Sequence, residues 1–354
     1  MPHPNEWLLY GCYGYTGKLI AKHAVEIGMR PTLAGRDEQK VKQLAEELQL
    51  PYKVFDVKNV SEVTEQLTGF ALVLHCAGPF IFTAEIMVQA CLSAKAHYLD
   101  ITGEYQVFER MFELDADAKK SGIMLLPGVG FDVVPSDCLS AQLKAVLPSA
   151  TTLELVLMNQ GGGLSQGTAL TIAENMGTGT VVRKRGKLDT VRNGEVTIDL
   201  VLDGKQKTAV AISWGDISTA YRSTAIPNIT VYNLLPLKVV RSFKISNSFG
   251  FILRSTLMKK ILRSRIKSRP PGPTDQMRET ASSSIWGQAS NHLGISKRML
   301  LKLPEGYTLT YLTAVEIVKQ VLAGNLKTGA HTPSQVYGKD FILGFPKVEL
   351  KVLE

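Results

Sequence analysis

This chain of 354 residues has little cysteine, and what it has forms no ligand pattern: Cys12, Cys76, Cys91 and Cys138 show no C-x-x-C or Cys/His spacing. That excludes a disulfide scaffold and a zinc ribbon, and no metal site is expected. No charged-then-apolar leader opens the chain, so a reducing, cytoplasmic setting is expected. No apolar run approaches the ~20 residues that cross a bilayer, so any membrane contact would be peripheral. There is no G-x-S-x-G elbow and no P-loop, which leaves hydrolase and kinase chemistry without a foothold. The histidines lack the i, i+4 spacing of a zinc pair, and His23 and His75 read as packing residues.

Acidic residues are missing from one long stretch. Between Ile217 and Thr274 there are eleven Lys or Arg and no Asp or Glu. Taking these eleven from the 40 basic residues leaves 29 against 32 acidic, so this one segment makes the protein basic. Within it, Ser248 to Lys267 mixes Phe249, Phe251, Leu253, Leu257, Ile261 and Leu262 with Lys259, Lys260, Arg263 and Lys267. A basic amphipathic helix of this kind suits an anionic membrane, an acidic carrier protein or a CoA phosphate, and equally a solvated helix covering its own domain. The segment 238–269 is therefore the expected contact for a membrane or carrier. Nucleic acid is not expected, because no interleaved aromatic platform accompanies the charge.

What is present is a strand-to-helix glycine turn. Trp7 to Tyr10 reads as the first strand of a parallel sheet, and Gly11, Gly14 and Gly17 follow at steps of three before a helix from Thr16 to Ile27, closed at Gly28. Gly11 allows the sharp turn, Gly14 a close approach to a pyrophosphate, and Gly17 packing of helix on strand; Tyr13, Tyr15 and Thr16 complete the loop. Free N–H groups at that helix start favour an anion. The second strand, Arg30 to Ala34, ends in Gly35-Arg36-Asp37. A guanidinium in the place where an acid would meet a ribose hydroxyl suits a 2′-phosphate, so NADP(H) is expected over NAD(H).

Strand and helix patterns then alternate: helix Asp37–Leu48, strand Tyr52–Val57, helix Ser61–Leu67, strand Ala71–Cys76, helix Thr83–Ala94, strand Tyr98–Ile101, helix Val107–Ser121 and strand Met124–Leu126. Repeated βαβ units demand a doubly wound parallel sheet, so an α/β Rossmann-type domain is expected over residues 1–130. Asp56 and Val57, closing the third strand, and Ala77-Gly78-Pro79, following the fourth, lie where ligands bind on such sheets. After Pro127 the texture changes. Thr152–Met158, Val196–Leu202, Lys207–Ile212 and Ile229–Leu234 read as strands of a mixed or antiparallel sheet, and Ser283–Asn291 with Lys297–Lys302 as a hairpin. Ser165–Met176 reads as a helix. An α+β substrate domain over 131–308 is expected, followed by a C-terminal helix, Leu309–Ala323, and tail (309–354) returning to the first domain.

Two acidic clusters fall beyond strand ends where a nicotinamide would project: Tyr98, Asp100, Gly103 and Glu104, and Gly128, Gly130, Asp132, Ser136 and Asp137. Half-buried carboxylates there can be tuned towards neutral pKa, making Tyr98, Asp100, Glu104 and Asp132 candidate proton donors. Ser136 and Asp137 fit better as an N-cap and first helical turn.

The runs GCYGYTG, LAGR, AGPF, YLDITGE, PGVGFDVVPSD, GGGLSQGT, PEGYTLTYLTA and TPSQVYGKDF resemble the saccharopine dehydrogenase-like oxidoreductases, and most the branch that includes trans-acting enoyl reductases. Cys12 stands where alanine is usual in that loop. The resemblance implies an NADP-dependent reductase with a Rossmann domain and an α+β substrate domain, acting in that branch on an unsaturated acyl chain held by a carrier. Three functions stay open at this point: reduction of a polarised C=C bond of an enoyl thioester, a saccharopine or related imine reductase, and a lipid- or membrane-associated NADP-binding protein without turnover. A homodimer is compatible with each.

Overall fold

The computed structural model describes residues 3–175, 177–202, 204–234, 240, 247 and 250–353, and the chain divides into two compact units, residues 1–134 with 307–336 and residues 135–306 with 337–354.

The first unit is built on a seven-stranded sheet, all parallel in its recorded pairings. Its strands are β1 (His3–Tyr10), β2 (Thr32–Gly35), β3 (Tyr52–Val54), β4 (Phe70–His75), β5 (His97–Asp100) and β6 (Met124–Leu126), with a short strand, Gly329–Ala330, added beside β6. The order β6-β5-β4-β1-β2-β3 runs outward in both directions from the β1/β4 pair. That pair is the point where strand order reverses, and ligands of such sheets bind in the crevice there. Burial on both faces explains the unbroken apolar runs: Leu8, Leu9, Leu72, Val73 and Leu74 have no exposed surface. Helices α1 (Tyr15–Glu26), α2 (Glu38–Leu48), α3 (Val60–Leu67), α4 (Ala84–Ala94), α5 (Tyr105–Glu113) and α6 (Asp115–Ser121) connect the strands. One side of the core joins Leu8, Val73, Met87, Val88, Tyr98 and Leu125.

Two expectations are corrected here. The helix expected over Val107–Ser121 is two helices divided at Leu114; Asp115 and Asp117 occupy the first turn of α6, where negative charge favours a new N-terminus. The third strand ends at Val54 instead of Val57, because the Asp56 carboxylate takes the Val57 N–H at 2.9 Å and turns the chain away.

The second unit is built on a mixed sheet. Its strands are β7 (Thr152–Gln160), β8 (Thr180–Lys184), β9 (Lys187–Val191), β10 (Thr197–Leu202), β11 (Lys205–Ala211), β12 (Asn228–Asn233), β13 (Ser282–Ser290) and β14 (Ser296–Pro304). β7 and β12 pair in parallel, and β13 pairs antiparallel with β7 and β14. Val156, Met158, Tyr232 and Trp286 form its core with Ala209. α7 (Val134–Val146) packs close on β13, where a side chain in place of Gly287 would meet Leu143 at 2.8 Å. The β8–β9 hairpin, which the sequence does not predict, turns at Arg185 and Gly186, both with positive φ (50° and 79°), as a two-residue hairpin requires. The tail departs from expectation too. The helix Gly306–Leu322 enters the first unit at Tyr307, but Glu349–Leu353 pairs with β14 in the second. Lys238, Arg241, Lys244, Ser248 and Phe249 of the basic segment lie outside the described residues, as does Met176 at the end of its expected helix. Among the described residues, no helix is long and apolar enough to cross a membrane.

Candidate functional site

The glycine turn sits at the sheet's reversal point. Gly11 holds φ at +82°, and a Cβ there would come within 2.8 Å of Ala77 N and 2.9 Å of the Cys76 carbonyl carbon on the neighbouring strand end. Only glycine satisfies both demands. Gly17 is equally constrained: its Cβ would drive into the Gly11 carbonyl oxygen and meet Cys12 Cα at 3.0 Å. Gly14 occupies the N-cap of α1 with no side-chain cap, and no acidic residue stands in the first turn. The positive end of the helix is thus left to an external anion, with Tyr13, Gly14, Tyr15 and Thr16 all partly exposed around it. Cys12 is buried, and burial pushes its thiol up to about 12, so it is a packing residue.

At the end of β2, Gly35 is covered by the Tyr13 ring, which a Cβ would meet at 2.5 Å. Arg36 is exposed beside it. Lys40, one helical turn further on, places Nζ 5.7 Å from the Tyr13 ring centroid and 2.9 Å from Asp37. Two cations therefore flank the Gly35–Tyr13 platform, which fits a ribose phosphate. Nothing in the local spacing marks Lys40, whose place beside Tyr13 depends on α2 turning back over that ring. Asp56 is partly exposed and held below the usual carboxylate range, chiefly by Lys58 at 2.8 Å and less by Arg36.

The loop after β4 is held from two sides. Thr83 Oγ1 donates to the Ala77 carbonyl at 2.9 Å and receives His75 Nε2–H at 2.9 Å. His75 is fully buried, which holds it neutral; its Nδ1 has no partner, so the proton sits on Nε2. Glu104 accepts the backbone N–H groups of Phe80 and Ile81, at 2.8 and 2.9 Å, with one oxygen each. These contacts fix Ala77, Gly78 and Pro79, and Gly78 stays exposed.

The four candidate proton donors divide. Tyr98 and Asp100 have no exposed surface. The Tyr98 hydroxyl donates to Asp100 Oδ2 at 2.7 Å, and Asp100 Oδ1 accepts the Thr102 and Gly128 N–H groups at 3.0 and 2.8 Å. That pair ties the end of β5 to the loop after β6, and burial raises Asp100 to about 6 against these hydrogen bonds. Glu104 is 5% exposed and engaged as above. Asp132 differs. It keeps some surface at a spot otherwise densely surrounded by protein. Burial first, and the Glu104 charge second, raise it to about 7. Its carboxylate lies against Gly103, where a Cβ would meet Oδ2 at 2.7 Å.

The C-terminal helix completes the loop. Thr310 Oγ1 accepts the Phe131 N–H at 3.0 Å, Thr313 Oγ1 donates to the Val129 carbonyl at 2.8 Å, and the Tyr307 ring meets Tyr15 edge-on at 5.0 Å. Nothing in the local spacing of Tyr307, Thr310 and Thr313 marks them as site residues, since their partners are nearly 180 residues or more away. In the second unit, Ser136 donates to Asp216 at 2.5 Å, while Asp137 stands in the first turn of α7.

Residues 7–126, most of the first unit's sheet, match the family model described as the saccharopine dehydrogenase NADP binding domain. That stretch is similar to a saccharopine dehydrogenase NADP binding domain, and NADP(H) is the cofactor. The domain is similar in sequence to the saccharopine dehydrogenase-like oxidoreductase of Rattus norvegicus, 26% identical over 154 residues that cover 38% of this chain and 36% of that protein. It is also similar to a putative trans-acting enoyl reductase of Mycobacterium tuberculosis, 28% identical over 190 residues that cover 50% of this chain and 45% of that protein. The matches thus span less than half of either relative. The apo saccharopine dehydrogenase (L-Glu forming) of Saccharomyces cerevisiae shares the fold, with a TM-score of 0.64 over 99% of this chain and 100% of that one at 13% identity. The Gly11 turn, the α1 terminus without a side-chain cap and the Arg36–Lys40 platform all fit the cofactor.

Proposed function

We propose that this protein is an NADPH-dependent oxidoreductase that reduces a polarised C=C bond, most directly that of an enoyl thioester or carrier-bound acyl chain. The observation that carries the reading is Asp132, the one candidate donor that combines solvent contact with a pKa of about 7. The match to a relative named as a trans-acting enoyl reductase, which extends over half of this chain, supports the substrate class.

The glycine turn and the α1 terminus would hold the pyrophosphate, and Arg36 and Lys40 the 2′-phosphate. Bound there, the reduced nicotinamide would supply a hydride to the substrate's β-carbon and be left oxidised. Asp132, protonated below about pH 7, gives its proton to the substrate's α-carbon and regains one from solvent through its exposed edge. Glu104 acts at one remove: its charge raises Asp132, and its two hydrogen bonds hold the loop under the cofactor. The Tyr98–Asp100 pair fixes the backbone from which the Asp132 loop departs. All four cysteines are free, which suits the reducing, cytoplasmic setting proposed for this reaction.

The test is a substrate panel scored by NADPH oxidation. Consumption with crotonyl- or longer enoyl-pantetheine is expected. Consumption only with glutamate plus aminoadipate semialdehyde would replace this reading with imine reduction, and no consumption with any substrate would favour a binding protein without turnover.

A further inference from the structure

The helix Thr256–Lys267 has an inner and an outer face of opposite character. Leu262 and Ile266 pack on Ala169, Leu170 and Ala173 of α8 (Gln166–Glu174). Lys259 and Arg263 close on the buried Glu174 carboxylate at 3.2 and 2.7 Å. These contacts fix the rotation of the helix about its axis, so the opposite side points outward. There Leu257 is 69% and Ile261 41% exposed, one turn apart, and Phe251 just upstream is 71% exposed. At 100° per residue, Lys260 and Lys267 fall on one side of the Leu257–Ile261 pair and Arg265 on the other, and all three are exposed. None of the three has an ion pair among the described residues, whereas Lys259 and Arg263 are already matched by Glu174. No acidic residue occurs anywhere from Ile217 to Thr274.

We propose that this face docks the protein on an anionic lipid surface, the helix lying in the plane of the membrane with Leu257, Ile261 and Phe251 entering the acyl boundary and the flanking cations meeting headgroups. Large apolar side chains raised on a convex helix, rimmed by Lys and Arg, are the pattern of an interfacial helix. An acidic carrier protein would match the charge, but it would need a concave apolar seat for these three side chains. Each cation near such a surface strengthens binding about fivefold, an effect that salt removes. The inference is independent of the reaction proposed above.

The test is flotation of the full chain with phosphatidylcholine vesicles, with and without about 30 mol% phosphatidylglycerol. Flotation with the anionic vesicles alone is expected, lost at about 0.5 M salt. The double substitution Leu257→Asp with Ile261→Asp should lower partitioning at least about tenfold, and Leu257→Trp should shift its emission to the blue when anionic vesicles are added. Both positions lie on the outer face, so an unchanged melting temperature checks that the fold survives; should the double variant unfold, the tryptophan variant decides alone. Absence of flotation, flotation unaffected by the double substitution, or an unshifted tryptophan would each overturn the proposal. So would a complex with an acidic acyl carrier protein, broken by Lys260→Glu, in a chain that ignores vesicles.

Discussion

The Tyr98 hydroxyl donates to Asp100 Oδ2 at 2.7 Å, with both side chains wholly out of solvent. Asp100 in turn holds Gly128 N at 2.8 Å, so two residues at the end of β5 set the position of the next strand's loop. Tyr98→Phe removes one donor from a buried carboxylate and should cost about 1–3 kcal/mol of stability. Turnover should persist, since neither group reaches solvent. Denaturant unfolding and steady-state rates measured together check this; a variant of full stability without activity would make Tyr98 a donor after all.

Gly17→Ala places a methyl group against the Gly11 carbonyl, inside the turn proposed to receive the pyrophosphate. Backbone on both sides leaves no flexible neighbour to yield. Binding of NADPH should fall by at least about tenfold, with a lowered melting temperature, because helix and strand must separate. Calorimetric titration beside thermal melting measures both.

Asp132→Asn keeps the shape but removes the proton. The rate constant kcat should fall about 10²- to 10⁴-fold, the range for loss of a general acid. In the wild type, kcat should decline as pH rises through about 7, because the acid form is the donor. That limb should vanish in the variant. A variant that keeps the wild-type pH profile would exclude Asp132.

Stability should also depend on pH through these carboxylates. Asp100 and Asp132 are raised from the ordinary 3.8 to about 6 and about 7, so the folded protein holds more protons than the unfolded chain across that range. Stability should therefore fall as pH rises from about 4 towards 7, when buried acids are forced to ionise. Asp132→Asn should flatten the upper part of that slope in urea unfolding series.

The first unit was legible in the sequence because its signals are local. A glycine turn and regular alternation of apolar strands with amphipathic helices specify a parallel sheet, and each strand end carries its own loop. What stayed hidden depends on partners far away in the chain. Lys40 meets the Tyr13 ring only where α2 faces it, and Thr310 holds Phe131 across 179 positions. Nor could residue type separate the acids of the YLDITGE and PGVGFD runs. Asp100, Glu104 and Asp132 differ in burial and in the charges around them, a property of folding and not of spacing. The two-residue strand Gly329–Ala330 is too short for any pattern, and it exists because β6 offers it an edge.

The most direct measurement of the account is calorimetric titration of wild type and Arg36→Asp with NADPH and with NADH. Arg36 is exposed at the end of β2, so the substitution leaves the core untouched. A charge-assisted phosphate contact is worth about 1.5–3 kcal/mol, so NADPH affinity should drop about tenfold or more while NADH affinity changes little. Equal losses for the two nucleotides, or a wild type that binds neither, would contradict the cofactor site on which the reductase reading rests.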